Sequence, residues 1–579
     1  MWPCYVEPSL NFGGRRSKMV SWERTGKRFL GVLFLSFLFL GGCSSSRDKS
    51  MSGKKGSAET FGARAHVAQG AQGNREGVKE SLRAESMPSS SPRPNIIFVL
   101  TDDLAVWDLE AMPKLKALIA DQGTSFSNFF VNLSQCCPSR ASILRGQYAH
   151  NTEIYGNYPP EGGFQKFHSS AKEISTVAVW LHDAGYRTML AGKYLNGYPT
   201  KHDLRFIPPG WDEWYSPVKG DAYGQFNYTL NENGTLVHYG HRPKDYGTDV
   251  YRMKSTDFIR RMAKEGKPFF CYLSVYAPHT PATPAPRHMN LFPDARAPRT
   301  PNFNEEDVSD KPRHIRSQPL LSAEEIRKID EHHRKRLQSL QAVDEMIEDL
   351  LETLTTTGQI ENTYIFFSSD NGFHLGNHRQ FLGKQSPYEE EMRVPLLVRG
   401  PGVARGRQVD LLTGNIDLAP TWAELAGVKI PDWVDGFSLV PLWSPRPLSS
   451  DSWRHAYLLQ CGNPDETGKD SHHPIAPTGL VDGTLEPPDD IEELRRAGFL
   501  GDTPKGVFEV PPFYGIRTAE YTYIEYVTGE RELYDLRRDP YQLENKVERV
   551  NPELVDQLSA RVRFLKKCAG YTCRNEPGE

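Results

Sequence analysis

The chain has 579 residues, 38% hydrophobic, 25% charged and 11% aromatic, with a formal net charge of -4 at pH 7. That length predicts a large domain with a smaller one appended, and the composition excludes a multi-span membrane protein, a collagen and a wholly disordered chain. A near-neutral balance provides no global basic field for nucleic acid, so an anionic substrate has to be met by a local cluster of charge.

Arg24, Lys27 and Arg28 precede an apolar run from Phe29 to Gly42, followed by Cys43 and a serine tract. The run is shorter than the roughly 20 residues of a membrane-spanning helix, and with its basic flank it reads as a secretory signal over residues 1–43. Leu40-Gly41-Gly42-Cys43 resembles a bacterial lipoprotein cleavage box. The resemblance implies that Cys43 is lipidated and anchors the exported protein to a membrane, at the cell surface or in the periplasm; soluble secretion is the alternative. Met19 is an alternative start. Residues 44–93 are rich in Ser, Gly, Ala and charge, with Phe61 as their sole aromatic residue, and are expected to form an unstructured linker.

The folded region opens with Asn95-Ile96-Ile97-Phe98-Val99-Leu100, an unbroken apolar run of the kind found in parallel strands covered on both faces. It ends in Thr101-Asp102-Asp103. Tyr186 to Ala191 leads in the same way into Gly192-Lys193, Pro268 to Tyr276 into Ala277-Pro278-His279, and Thr363 to Phe367 into Ser368-Ser369-Asp370-Asn371-Gly372. In open α/β sheets ligands sit beyond the carboxyl ends of the strands, so these four ends are expected to converge on one cleft. Helical spacing at Leu115, Leu118 and Ile119, and from Ser322 to about Leu354 after a Ser322/Glu325 capping box, supplies the alternating helices of a mostly parallel sheet. Taken alone, Asp102-Asp103 is more often a cap or turn than a metal site, and Asp370-Asn371-Gly372 is equally a good turn sequence. Two such tips in one sheet favour a hard divalent cation, calcium before magnesium, with Asp102, Asp103, Asp370 and the amide oxygen of Asn371 as ligands.

Gln135-Cys136-Cys137-Pro138-Ser139-Arg140 runs on to Gly146, and Pro138 fits the first turn of a helix ending there. Cys136 would then stand just ahead of an N-terminus able to receive an anion. The alternative is a pair of buried or disulfide-bonded cysteines.

The Cys-x-Pro-Ser-Arg pattern of Cys136, Pro138, Ser139 and Arg140, continued by Ala141-Ser142, resembles the sulfatase signature. Asp102-Asp103, Gly192-Lys193, Ala277-Pro278-His279, Asp370-Asn371-Gly372, Gly383-Lys384 and Glu532 to Leu536 with Asp539-Pro540 follow in that family's order. Cys136-Cys137, Tyr148-Ala149-His150-Asn151, Gly192-Lys193-Tyr194-Leu195-Asn196, Asn302 to Glu305 and Asp310-Lys311-Pro312 are most similar to the N-acetylglucosamine-6-sulfatase and heparan-sulfate 6-O-endosulfatase branch.

The resemblance implies an α/β, alkaline-phosphatase-like fold with a catalytic domain over 94–440 and a C-terminal subdomain over 441–579 that carries a small antiparallel sheet. It implies that a maturation enzyme oxidises Cys136 to Cα-formylglycine, whose hydrated aldehyde attacks sulfur beside the cation. Arg140, Lys193 and Lys384 would neutralise the sulfate, His279 would protonate the leaving oxygen, and residue 136 would join the cation ligands. Many sulfatases carry a histidine two or three residues after the lysine matched by Lys193, where this chain has Leu195 and Asn196. His150 or His374 is expected to take that role, and Asn196 to contact substrate with them. Sulfated amino sugars, glycosaminoglycan fragments or aryl sulfates are the implied substrates. A phosphate or phosphonate monoesterase on the same frame, and a surface carbohydrate-binding protein with vestigial machinery, are the competing readings.

Residues 281 to 319 are rich in Pro, Arg and Asn and are expected to form a long loop, either facing substrate or passive. A Gly/Pro/Asp-rich insertion is expected over 461–502, and an antiparallel strand over Tyr521 to Tyr526. Cys568 and Cys573 are placed to close a disulfide in an oxidising compartment, whereas Cys271 sits in a strand pattern that would keep it inert.

Overall fold

The computed structural model describes residues 93–200, 203–444, 452–465 and 510–575. The signal-like segment with Cys43, the linker up to residue 92 and most of the insertion at 461–502 lie outside the described residues.

Four apolar runs form the middle of a ten-stranded sheet: β1 (Asn95–Thr101), β2 (Arg187–Gly192), β3 (Phe269–Ser274) and β4 (Thr363–Ser369), in the order β4-β1-β3-β2. All three pairings are parallel, with Leu100 beside Ser274 and Ser368. Beyond them the sheet becomes mixed. Leu396–Arg399 pairs antiparallel with β4, and on the other side Glu213–Gly220 runs parallel to β2 before two antiparallel strands complete that edge.

The continuous apolar runs are explained by burial on both faces. Along β1, Ile96, Phe98 and Leu100 enter one hydrophobic cluster, and Ile97 and Val99 enter another on the opposite face. On each face a helix bears on the strand ends. α1 (Cys136–Arg145) packs on the first face and ends at Gly146, whose φ of 66° is the left-handed cap that glycine tolerates best. α2 (Ala323–Thr356) packs on the second face and opens with the expected box, in which the Ser322 side chain accepts from Glu325 N–H and the Glu325 carboxylate from Ser322 N–H.

The second sheet has four antiparallel strands, Ala456–Cys461, Phe513–Thr518, Tyr521–Tyr526 and Arg531–Asp535. Its apolar side chains share a cluster with those of the large sheet, so the two sheets are packed on one continuous core. The long loop is tied down: Asn302 donates to Glu390 at 2.6 Å, Glu305 meets His378 at 2.6 Å, and Lys311 donates to the Leu543 carbonyl at 2.6 Å.

Candidate active site

The four strand ends converge. Asp102 and Asp103 leave β1, and a φ of 66° at Asp103 turns the chain sharply there. The Asp102 N–H donates to Ala277 O at 3.2 Å and the Asp370 N–H to Thr101 O at 3.1 Å, which joins the turns after β1, β3 and β4. Lys193 follows Gly192, where a Cβ would stand 1.8 Å from the Ser274 carbonyl, so close strand packing requires glycine just ahead of the lysine.

Cys136 begins α1 and is fully buried among these groups. Its Sγ lies 3.3 Å from Asp102 Oδ1, 4.0 Å from Asp103 Oδ1 and 3.0 Å from Lys384 Nζ. Lys384 also donates to Asp103 at 2.7 Å, and Lys193 donates to Asp102 at 2.7 Å. One turn along α1, Arg140 makes a two-nitrogen contact with Asp370 Oδ2, both at 2.8 Å, and donates to Ser274 Oγ at 2.6 Å. The Nδ1–H of His279 donates to the Thr280 carbonyl at 2.8 Å, so Nε2, which faces Asp103 Oδ2 at 3.5 Å, is the nitrogen that can gain and give up a proton. The Tyr223 ring packs on His279 at 4.7 Å and lies under Lys193 Nζ at 5.0 Å.

Burial would raise the Asp102 carboxyl, but Lys193, His279, Arg140 and Lys384 together hold it well below the usual carboxylate range. Asp370 is pushed the other way, by burial and by the Asp102 charge, against Arg140 and Lys193. Burial and the Asp102 carboxylate also push the Cys136 thiol well above its ordinary value, against Lys193 and Lys384. Such a thiol stays protonated and is a poor nucleophile in its unmodified form.

The residues fit a hard divalent cation. Donor atoms of Asp102, Asp103, Cys136 and His279 lie within 4.8 Å of one another. The Asn371 Nδ2 donates to Asp103 at 2.6 Å, while its buried Oδ1 has no hydrogen-bond partner among the described residues. An orphaned amide oxygen beside clustered carboxylates is the donor chemistry that calcium takes. Asp370 is more heavily engaged than expected: Oδ2 is held by Arg140, and Oδ1 accepts from the N–H groups of Asp103 and Asn371.

The remaining predicted residues divide. His374 directs Nδ1 to Glu391 at 2.6 Å, and its buried Nε2 is unmet among the described residues; its ring borders Gly383, next to Lys384. Asn196 is buried, and its backbone carbonyl accepts from Phe164 N–H at 2.7 Å. His150 is turned elsewhere. Its Nε2 lies 2.9 Å from the Cys568 carbonyl and its Nδ1 3.4 Å from Gln460, while Asn151 donates to the same Cys568 carbonyl and to Asp435. The Tyr148-Ala149-His150-Asn151 motif therefore clamps the loop closed by the Cys568–Cys573 disulfide. Cys137 is buried in the core, with its N–H on Asn157 Oδ1 at 2.9 Å.

Sequence reasoning missed two buried residues that hold this site. Arg336 of α2 reaches the Asp103 backbone, and Glu391 binds both His374 and Ser386, two residues past Lys384. Arg336 carried a signal, because it lies on the helix stripe shared with buried Ile329, Leu340 and Val343, where a charge needs a partner. Glu391 sits in the run Glu389-Glu390-Glu391, which sequence alone reads as a solvated face.

A sulfatase family model matches residues 94–428, so the chain belongs to the sulfatase family, a family of sulfuric ester hydrolases. Within that class, it is 35% identical to N-acetylglucosamine-6-sulfatase of Capra hircus over 85% of this chain and 87% of that one. It is 39% identical to a putative extracellular sulfatase Sulf-1 homologue of Caenorhabditis elegans, over 66% of this chain and 54% of the other. A solved structure described as a complex with its substrate D-glucosamine-2-N,6-O-disulfate shares the fold, with a TM-score of 0.64 and 24% identity over 82% of this chain and 98% of that one.

Proposed function

We propose that this protein is an exported sulfatase that hydrolyses the sulfate monoester of an amino sugar or glycosaminoglycan fragment. Position 136 carries Cα-formylglycine, made by a maturation enzyme, and Asp102, Asp103, Asp370 and Asn371 hold a divalent cation, calcium in preference to magnesium. The observation that carries the reading is Cys136 at the head of α1, with Sγ 3.3 Å from Asp102 and 3.0 Å from Lys384. The similarity to N-acetylglucosamine-6-sulfatases and to a glucosamine-disulfate complex supports the amino-sugar substrate.

Formylglycine at position 136 would supply the oxygen nucleophile that a protonated thiol lacks. A cation held by Asp102, Asp103, Asp370 and Asn371 would supply Lewis-acid polarisation. Arg140, Lys193 and Lys384 present fixed positive charge where charge develops on sulfate, and because Asp370, Asp102 and Asp103 already hold them, little reorganisation is needed. His279, its Nδ1–H held by the Thr280 carbonyl, would in its doubly protonated form deliver the Nε2 proton to the leaving sugar oxygen. The His374 Nε2, with Nδ1 fixed by Glu391, meets a substrate hydroxyl or sulfate oxygen in place of the histidine absent after Lys193. Asn196 contacts the substrate from the Lys193 segment, and lipidated Cys43 anchors the protein to a membrane.

Two measurements test this. The mass of a tryptic peptide spanning Cys136 is expected to show aldehyde in place of thiol, and an unmodified thiol in fully active enzyme would refute that step. Turnover of N-acetylglucosamine-6-sulfate, sulfated heparan oligosaccharides, an aryl sulfate and the matching aryl phosphate is expected to favour the sulfated sugars and to need the cation. Preference for the phosphate would make it a phosphomonoesterase, and binding without turnover a carbohydrate-binding protein.

A further inference from the structure

Arg336 lies midway along α2, and its side chain is fully buried at 0% exposure. A buried guanidinium is costly unless it is paired and its donors are used. Its counter-charge is Asp108, equally buried and 2.6 Å away. The same terminal nitrogen donates to the Asp103 carbonyl at 2.6 Å, and the other reaches the Pro278 carbonyl at 3.5 Å. Those carbonyls belong to the turns after β1 and β3, which deliver Asp103 and His279.

The Asp103 turn needs support, because a left-handed φ is disfavoured for a residue with a side chain. The guanidinium on its carbonyl favours that turn, and the Phe373 ring, 4.8 Å from Cζ, covers the group. The turn in turn aims the Asp103 carboxylate, which meets Lys384 at 2.7 Å and Asn371 at 2.6 Å and faces His279 at 3.5 Å.

We infer that Arg336 is a positioning residue: through the carbonyls of Asp103 and Pro278 it fixes the cation-binding carboxylate relative to the proton-donating imidazole, without touching substrate or cation. The inference rests on the roles proposed for Asp103 and His279 in sulfate ester hydrolysis. A lysine could keep the charge but not the planar fork that reaches Asp108 and both turns together.

Calcium titration of the purified full chain by calorimetry separates this role from general stability. Arg336→Lys and Arg336→Met are expected to weaken calcium binding roughly 10–100-fold, the usual cost of losing a group that orients a ligand, and to lower kcat on a sulfate ester more than they raise KM. Arg454→Met, which breaks a different buried pair with Asp417, is expected to lower the melting temperature and leave calcium affinity as it was. Asp108→Asn removes the counter-charge at nearly constant shape and is expected to weaken calcium in the same direction, so it serves if the Arg336 variants do not fold. Undiminished calcium affinity in Arg336→Lys, or in Asp108→Asn in its stead, would overturn the inference alone. No calcium binding by the unaltered chain would overturn the functional reading as well.

Discussion

Lys384 Nζ stands 3.0 Å from Cys136 Sγ, across 248 residues of sequence, and holds Asp103 at 2.7 Å with the same ammonium. A charge at that point lies beside the atom that would attack sulfur. Lys384→Met is expected to lower kcat about 100- to 1,000-fold, the scale for removing one preorganised donor, while the circular dichroism spectrum stays unchanged. Activity retained to within tenfold would remove Lys384 from the chemistry.

Cys136→Ala is expected to abolish turnover in a folded protein, whereas Cys137→Ala is expected to keep substantial activity, because Cys137 faces the core. Equal losses in the two variants would reverse the assignment of the nucleophile.

A proton donated from His279 would matter most when the leaving oxygen is a poor one. His279→Gln is expected to cost roughly 10²–10⁴ in kcat on a sugar sulfate and distinctly less on nitrophenyl sulfate, whose phenolate leaves unprotonated. A uniform loss on both substrates would argue against proton donation.

His150 binds the Cys568 carbonyl and Gln460 rather than the carboxylate cluster. His150→Ala is accordingly expected to cost on the order of 1 kcal/mol of stability, read as a lower melting temperature, with kcat/KM preserved. A large rise in KM at unchanged stability would restore it as a substrate contact.

His314 is buried beside the Tyr526 ring, with neither ring nitrogen hydrogen-bonded among the described residues. Burial chiefly, with Arg316, lowers its pKa from 6.5 to about 4, against the pull of Glu530. The folded state therefore favours the neutral ring. Its contribution to stability is fully present above pH 6.5 and is lost as pH falls toward 4, below which both states are protonated and the loss stops growing. His314→Phe is expected to remove a loss on the order of 3 kcal/mol across that window, seen as a shallower fall of denaturation midpoint between pH 7 and 4. An unchanged slope would show that this ring is not what titrates.

Much of the site was legible because chemistry-bearing residues sit at fixed offsets from strand-forming runs. Asp102, Lys193, His279 and Asp370 each follow an apolar run closely, and a parallel sheet brings such ends together whatever the loops between them do. Lys384 was found through its motif rather than through a strand end. His150 misled for the opposite reason. A histidine in a motif does not reveal which way its ring turns, and the groups that claimed it, Gln460 and Cys568, lie more than 300 residues away.

The local sequence determined which segments are buried strands, where the long helix is capped and that Cys136 heads a helix, since these depend on side-chain periodicity and backbone preferences over a few residues. Only the tertiary structure decided which charges pair. Arg140 takes Asp370, Lys193 takes Asp102, Lys384 takes Asp103, and Arg336 holds the turn behind them. In a buried, weakly polarisable interior each ion needs its counter-ion within a few ångströms, and that distance is set by the packing of the whole sheet and its helices.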